Sequence, residues 1–447
     1  MTRRMLLPLL LLALLGACAA PAASSPAEAG VSPAAPAQVP ALQTVDTAPP
    51  DGRTELTLAA VDPMAARSML SLADRFNWDN ADYWIVVKDY SENGAYDLQQ
   101  AVLRLSTELA AGGGPDLFCF SDGFSPLPYI SGGYLADLLP FLDSGGEIGR
   151  EDIVALDALC QGDGLYYLGP RFAVDTGLGS WEVFGDRWGW TFQEYLDLEA
   201  SGEFQNMTYN TTRLGFLRAV AMNYLDHAIQ WESGTCDLDN PEIREILETC
   251  GRIQENPEDP NAMDFSWPSR RVVEKRLAMV LGYVTQGAYL AFEEYMAGER
   301  LSWIGWPTVD GSCGSILYLQ SIYGVHSQTD APEGCWEFLQ YLLLRVDPAE
   351  PHGLPLYRPA LLEHLELAQH EDTAFGTIMT QPYVITAEDA QRLLELIDRI
   401  ETVGVYDETL LQIVEEEAAA YYAGNQTLDT ALDMIQSRVS LYLGEQR

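Results

Sequence analysis

Thr54 to Val61 reads T-E-L-T-L-A-A-V, Tyr83 to Tyr90 reads Y-W-I-V-V-K-D-Y, and Asp116 to Phe120 reads D-L-F-C-F. These three runs, and the segments between them, decide the fold. The first alternates apolar and polar side chains as a strand does, and the second is rich in β-branched and aromatic residues. The third is short and apolar throughout, as expected of a strand buried on both faces. Between the first two, Ala65 to Phe76 places Met69, Leu72, Ala73 and Phe76 at helical spacing. Between the second and third, Asp97 to Ala111 carries Leu98, Val102, Leu105 and Leu109 on one stripe, and Gly112-Gly113-Gly114-Pro115 ends it. Strand, helix, strand, helix, strand predicts a parallel α/β sheet with right-handed crossovers.

The chain continues in the same class. Gly164 to Val174 is extended and broken at Pro170. Thr191 and Glu194 form a capping box that opens a helix at Tyr195, and Arg213 to Trp231 is helical. So is Pro241 to Ile253, opened by Asn240 with Pro at the first turn. Leu277 to Val284 reads as a strand and Pro332 to Leu344 as a helix. Thr386 and Asp389 cap a helix with Leu393, Leu396, Ile397 and Ile400. Leu428, Leu432, Ile435 and Val439 stripe the last one. There is no internal repeat. At 447 residues, with 47% hydrophobic and 20% charged, two packed lobes are expected rather than one core. The 66 acidic residues against 25 basic ones give a net charge of −41, which repels nucleic acid and anionic lipid.

The N-terminus is an address. Arg3 and Arg4 precede an uncharged run of thirteen residues, Met5 to Ala17, too short to span a membrane. Residues 1–17 therefore read as a secretion signal. Leu15-Gly16-Ala17-Cys18 looks like a bacterial lipobox, in which Cys18 takes the lipid and becomes the first residue of the mature chain. Residues 18–52 form the tether: positions 19–52 hold eleven Ala, seven Pro and no aromatic, a composition that cannot bury a core. The expected location is the extracellular face of the cell membrane, with the protein lipid-anchored.

Six further cysteines stand at 119, 160, 236, 250, 313 and 335. Only Cys236 and Cys250 are close enough in sequence to suggest a bridge, and buried free thiols are the preferred reading. No C-x-x-C or H-E-x-x-H spacing occurs and the five histidines are scattered, so neither a metal nor another cofactor is expected. No G-x-S-x-G elbow or phosphate loop is present either, and a non-enzyme is expected.

The chain resembles the extracellular solute-binding lipoproteins, family 1, that feed ABC importers in Gram-positive bacteria. The matching segments are T-E-L-T-L-A at 54, L-R-L-S-T-E-L-A-A-G-G-G-P-D at 103 and Y-I-S-G-G-Y-L-A-D-L-L-P-F-L-D at 129. G-L-Y-Y-L-G-P-R-F-A-V-D-T at 164, G-D-R-W-G-W-T at 185 and W-E-S-G-T-C at 231 come next. Then come I-G-W-P-T-V-D-G at 304, E-E-E-A-A-A-Y-Y-A-G at 415 and I-Q-S-R-V-S-L-Y-L at 435. The chain departs from the pattern at 121–126 and over 346–383. The resemblance implies a two-lobed, hinge-linked, type II periplasmic-binding-protein-like fold that closes on a ligand. By segment, 54–168 with 309–352 forms one lobe, and 169–308 with 353–447 forms a second, helix-rich one. The crossings fall near Gly169-Pro170, Trp306-Pro307 and Leu354-Pro355.

Ligands of open α/β sheets sit beyond the carboxyl ends of strands. A sugar needs aromatic platforms for its C–H faces and charged partners for its hydroxyls. Trp306, Tyr283, Phe172, Tyr357 and Tyr129 are candidate platforms, and Asp62, Asp122 and Arg171 candidate polar clamps. Each has a plainer alternative: Phe172 and Tyr129 in the core, Asp62 as a helix cap, Arg171 in a salt bridge. The expected partners are a small solute, with a carbohydrate the favoured class, and the permease subunits of an ABC importer, with the receptor itself monomeric. Two rivals remain: a binding lipoprotein that signals to a membrane sensor, and a binder of a non-sugar solute such as a peptide. Permease genes beside this one would favour import, and a lone histidine kinase gene would favour sensing.

Overall fold

The computed structural model describes residues 52–91, 97–121, 124–256, 266–350, 352–371 and 383–446. Residues 1–51, which include the expected secretion signal, Cys18 and most of the expected tether, and the candidate clamp Asp122 lie outside the described residues.

The opening five elements form as the side-chain pattern requires. Strands β1 (Thr54–Ala60), β2 (Tyr83–Asp89) and β3 (Leu117–Phe120) are parallel, with Thr54 opposite Tyr83 and Leu58 opposite Leu117. The helices Pro63–Asp79 and Leu98–Ala110 connect them. Asp97 caps the second by accepting from the Gln100 N–H, and its buried stripe is Ala101, Leu105 and Leu109. Leu98 and Val102 sit at the margin of that stripe, packed on the core. Strand β3 is covered on both faces. Phe118 and Phe120 each lie 5.6 Å from the Tyr129 ring, and Cys119 turns the other way toward Tyr323. An alternating pattern would leave one face wet, so this strand is apolar throughout.

The second sheet is built around β4 (Arg171–Ser180). A short hairpin, β5 (Ile229–Gln230) and β6 (Thr235–Cys236), stands apart from it. The remaining strands are β7 (Met279–Val284), β8 (Leu301–Trp303), β9 (Ile316–Leu319), β10 (Ile322–Val325), β11 (Leu354–Pro355) and β12 (Thr402–Val403). β7, β8, β9 and β11 all run antiparallel to β4, and β12 is parallel to β9. β10 leaves this sheet and pairs antiparallel with β3, giving the first sheet the order β10-β3-β1-β2. The parallel α/β expectation thus describes three strands of the first sheet and is corrected in the second. β8 and β9 follow one another along the same edge of β4, joined by a loop, and antiparallel neighbours need no helical crossover.

That arrangement also corrects the crossing expected at Trp306-Pro307. β8 pairs with Leu178 to Ser180 and β9 with Phe172 to Asp175, so residues 304–315 leave an edge and rejoin it. Gly305 and Gly314 pinch the neck of this excursion, where Trp306 N–H donates to the Gly314 carbonyl at 3.1 Å. The chain passes between the sheets instead at Gln320-Ser321, between β9 and β10. It also passes at Gly169-Pro170, between the Leu168–Tyr323 bridge and β4, and between the helix Pro332–Leu344 and β11.

The three passages touch. A β-carbon on Gly169 would lie 2.1 Å from the Ser321 carbonyl oxygen, so only glycine lets the first two run side by side. Arg171 donates to the Gly353 carbonyl at 2.7 Å and the Asp347 carbonyl at 2.6 Å, tying the first passage to the third.

Three helix boundaries are sharpened. The Thr191–Glu194 box opens its helix at Phe192, not Tyr195, because the first helical residue directly follows the cap. The helix from Arg213 stops at Ala228, since Ile229 and Gln230 are taken by the hairpin. Ile400 lies beyond the end of the helix Ala387–Ile397 but is still buried in the core. Among the described residues, no helix is long and apolar enough to cross a membrane.

Candidate functional site

The two sheets face each other across a cleft of about 450 Å³. Its first-lobe wall is the carboxyl end of β3 with the turn beyond it: Phe120, Ser121, Phe124 and Ser125, joined by Ser68 and Met69 from the helix Pro63–Asp79. Its second-lobe wall is Tyr318 of β9 and the run Gly404 to Thr409 beyond β12. Its floor is the passage Leu319 to Tyr323. The position beyond strand ends is where open α/β sheets hold ligands.

Each wall residue is placed by local chemistry. Gly404 is required because a β-carbon there would meet the Tyr318 ring at 2.1 Å. Tyr318 is steadied by its hydroxyl, which donates to the Met222 sulfur at 3.1 Å. Asp407 caps the helix Glu408–Tyr422 by accepting from the Leu410 N–H at 2.9 Å. Burial raises the Asp407 carboxyl above its ordinary range, against the pull of the Leu410 N–H and the Tyr442 hydroxyl. Arg218 bonds to Glu408 and to Glu415, and its guanidinium lies 5.7 Å from the centre of the Tyr406 ring. Rings and hydrogen-bonding groups therefore alternate around the cleft.

Behind Tyr318 stands a second layer. Asp175 of β4 is opposite Tyr283 on one side and Ile316 on the other, so it shares a sheet face with Tyr283 and Tyr318. Burial pushes its carboxyl up to about 7, while the Trp306 indole pulls the other way. Tyr283 and Tyr318 are ring neighbours at 6.4 Å.

The eight candidate ligand residues scatter when set against this geometry. Tyr129 lines a side chamber of the cleft while packing in the aromatic core with Phe118, Phe120 and Phe124. Tyr283 is 51% exposed beside Tyr318 but does not form the wall. Trp306 is 6% exposed and sits edge-on to Phe216, behind the wall rather than in it. Phe172 is fully buried, opposite Leu354 and Leu319, so it is a core residue and not a platform. Arg171 is spent on the passage between lobes and is not a clamp. Tyr357 bridges to Ile153 and opens the helix Arg358–Ala368, away from the cleft. Asp62 places its backbone carbonyl at the start of the helix Pro63–Asp79, accepting from the Ala66 N–H, and its charge is felt at Cys119 in the wall. Asp122 lies outside the described residues.

The cleft residues that sequence reading missed are Tyr318, Tyr406, Asp407 and Glu408. Only one local signal was available: Asp407 ahead of an acidic, apolar-striped segment is a cap pattern. The others depend on pairings between short, distant strands.

All six cysteines from Cys119 to Cys335 are free thiols, so Cys236 and Cys250 are not bridged. Among the described residues, no group of three or more His, Cys, Asp or Glu side chains is placed to hold a metal ion.

No protein-family model matches the chain, and no curated protein does. Solved structures do. The sugar-binding protein MalE from Xanthomonas citri matches with a TM-score of 0.56 at 15% identity, over 88% of this chain and 98% of that one. An extracellular solute-binding protein family 1 from Alicyclobacillus acidocaldarius matches with a TM-score of 0.50 at 15% identity, over 88% of this chain and 99% of that one. The chain has the two-lobed α/β fold of the extracellular solute-binding proteins.

Proposed function

We propose that this protein is the extracellular receptor of an ABC importer, held to the membrane through lipidated Cys18, and that it captures a sugar or oligosaccharide between its lobes. The observation that carries this reading is the make-up of the interlobe cleft. Tyr318 and Tyr406, both part-exposed, offer faces for C–H surfaces, and Ser121, Ser125, Asp407 and Glu408 offer partners for hydroxyls. A pocket of about 300–1,000 Å³ with a few polar groups among apolar walls is the usual form of a small-molecule site. The Xanthomonas citri neighbour, a sugar-binding protein, agrees in kind.

Closure comes from where the walls belong. A solute touching both Phe124 and Tyr406 contacts both lobes at once, so it binds the closed form better and shifts the population toward it. The passages at Gly169-Pro170 and Gln320-Ser321 are the hinge. Ser131 donating to the Trp231 carbonyl at 2.6 Å, and Tyr166 bonding to Glu232, tie the lobes away from that hinge. The closed shape is what a permease reads, and the acidic surface supplies docking charge. No step in this cycle makes or breaks a covalent bond in the solute.

A thermal-shift screen of residues 41–447 against mono- and oligosaccharides, polyols and peptides tests the solute class. A sugar that binds the native state adds about 2.7 kcal/mol of stability at a hundredfold excess over its Kd. Tyr406→Ala is expected to weaken that sugar roughly 30-fold, the cost of losing a central aromatic contact. A response to peptides alone, with no sugar active, would reject the carbohydrate reading. Cys18→Ala in the full chain is expected to move the protein from the membrane fraction to the medium. Retention in the membrane would mean a different anchor.

A further inference from the structure

The cleft does not end at the wall of Phe124 and Ser125. A second chamber of about 360 Å³ opens on the other side of a waist formed by Phe124-Ser125 from one lobe and Asp407 with Thr409 from the other. All four waist residues border both spaces. The second chamber repeats the chemistry of the first. Tyr129 and Tyr134 come from the first lobe, and Tyr442 from the last helix, Leu428–Glu445, of the second. Ser106 and Glu445 add hydrogen-bonding groups at its rim.

The paired chambers bear on ligand size. Each chamber alone is at the low end of the range for small-molecule sites, roughly 300–1,000 Å³. A ligand confined to the first chamber would leave Tyr134 and Tyr442, both part-exposed, uncovered beyond the waist. A chain of sugar rings has the right repeat: each unit brings another C–H face and another set of hydroxyls. Asp407 stands at the junction, where a carboxylate can meet hydroxyls from the units on either side. Both chambers also have walls from both lobes, so a ligand that fills both bridges the lobes twice and favours closure more than a short one.

We propose that the second chamber is an additional sugar subsite and that the ligand of this protein is an oligosaccharide running past the waist, not a monosaccharide. The inference rests on the carbohydrate reading above and deepens it by fixing the substrate as a multi-unit chain.

Calorimetric titration of residues 41–447, the span that contains every described strand and helix, tests it with two homologous series, α-1,4- and β-1,4-linked glucose of one to six units. The expected result is that affinity in the preferred series rises at least tenfold between the shortest binder and the longer members. Tyr134→Ala should remove that gain and leave the shortest binder unchanged. Ser106→Trp, at an exposed helix position that looks into the chamber, should block the longer members only, and it guards against a folding defect in the first variant. Equal affinity for glucose and its longer chains overturns the second subsite and leaves the sugar reading standing. So does a length-dependent gain that survives both variants. Binding by peptides with no response from any sugar overturns both readings together.

Discussion

Arg392→Met is expected to destabilise the fold by about 3–5 kcal/mol, the usual cost of removing one partner of a buried ion pair. Arg392 donates to both oxygens of Glu294 at 3.1 and 3.2 Å, with side chains only 12% and 15% exposed. Its guanidinium also lies 4.1 Å from the centre of the buried Trp303 ring and reaches the Leu301 carbonyl at 3.4 Å. One residue thus joins the helix Ala387–Ile397 to the helix Tyr289–Ala297 and to β8. Methionine keeps much of the volume but leaves a carboxylate buried without its cation. Burial already holds the Glu294 carboxyl above its ordinary 4.5 despite Arg392, and losing the cation raises it further. An acid whose folded value is raised favours folding when protonated, so its contribution is lost as pH climbs through that raised value. The deficit of Arg392→Met should therefore be largest at neutral pH and shrink toward pH 4.5. Urea unfolding at pH 7 and pH 5 measures both. A loss below about 1 kcal/mol at pH 7 would show that Glu294 is solvated rather than buried.

Asp175→Asn is expected to do the opposite to stability. The carboxyl sits at about 7 in the folded protein against 3.8 as a free side chain, chiefly through burial. The folded state therefore holds its proton more tightly, and stability falls as pH rises between those two values. The full difference corresponds to roughly 4 kcal/mol, at ~1.4 kcal/mol per decade. Asparagine keeps the shape and never ionises. The variant should gain up to about 4 kcal/mol at pH 8 and little at pH 4, where the native carboxyl is already protonated. Denaturant curves for both proteins at the two pH values decide it, and an equal difference at both would mean that Asp175 is not the group that titrates. Asp175 is part-buried behind Tyr318, beside Trp306 and Tyr283, and lies outside the lining of the cleft.

Legibility from sequence followed the range of the forces involved. β1, β2 and β3 of the first sheet were readable because they are joined by helices directly next to them in the chain, and each helix shows its buried stripe; β10, which joins them from far along the chain, was not. Ala101, Leu105 and Leu109 recur at the helical period, and D-L-F-C-F is apolar because both of its faces are covered. The second sheet was not readable in the same way. β9, β11 and β12 are two to four residues long, and they become strands only by pairing with β4 or with one another across long stretches of chain.

The site shows the same division. Trp306 and Phe172 are aromatic residues near strand ends, and sequence alone makes them as good platforms as any others. Their burial was decided by the edge of β4, which β8 and β9 share, and by the loop that carries Trp306 inward onto Phe216. Tyr318 and Tyr406 reach the cleft because β12 lies beside β9 and Gly404 leaves room for a ring.

What the sequence by itself determined is the class of fold, the order of helices in the first lobe, the caps at Thr191, Asn240 and Thr386, and the acidic character of the chain. Those properties are local, set by side-chain period, backbone donors within one turn, and charge. Which residues face the solute was decided only by tertiary structure. A cleft between two sheets is lined by whatever the long-range strand pairings bring to its walls, and no spacing along the chain encodes that meeting.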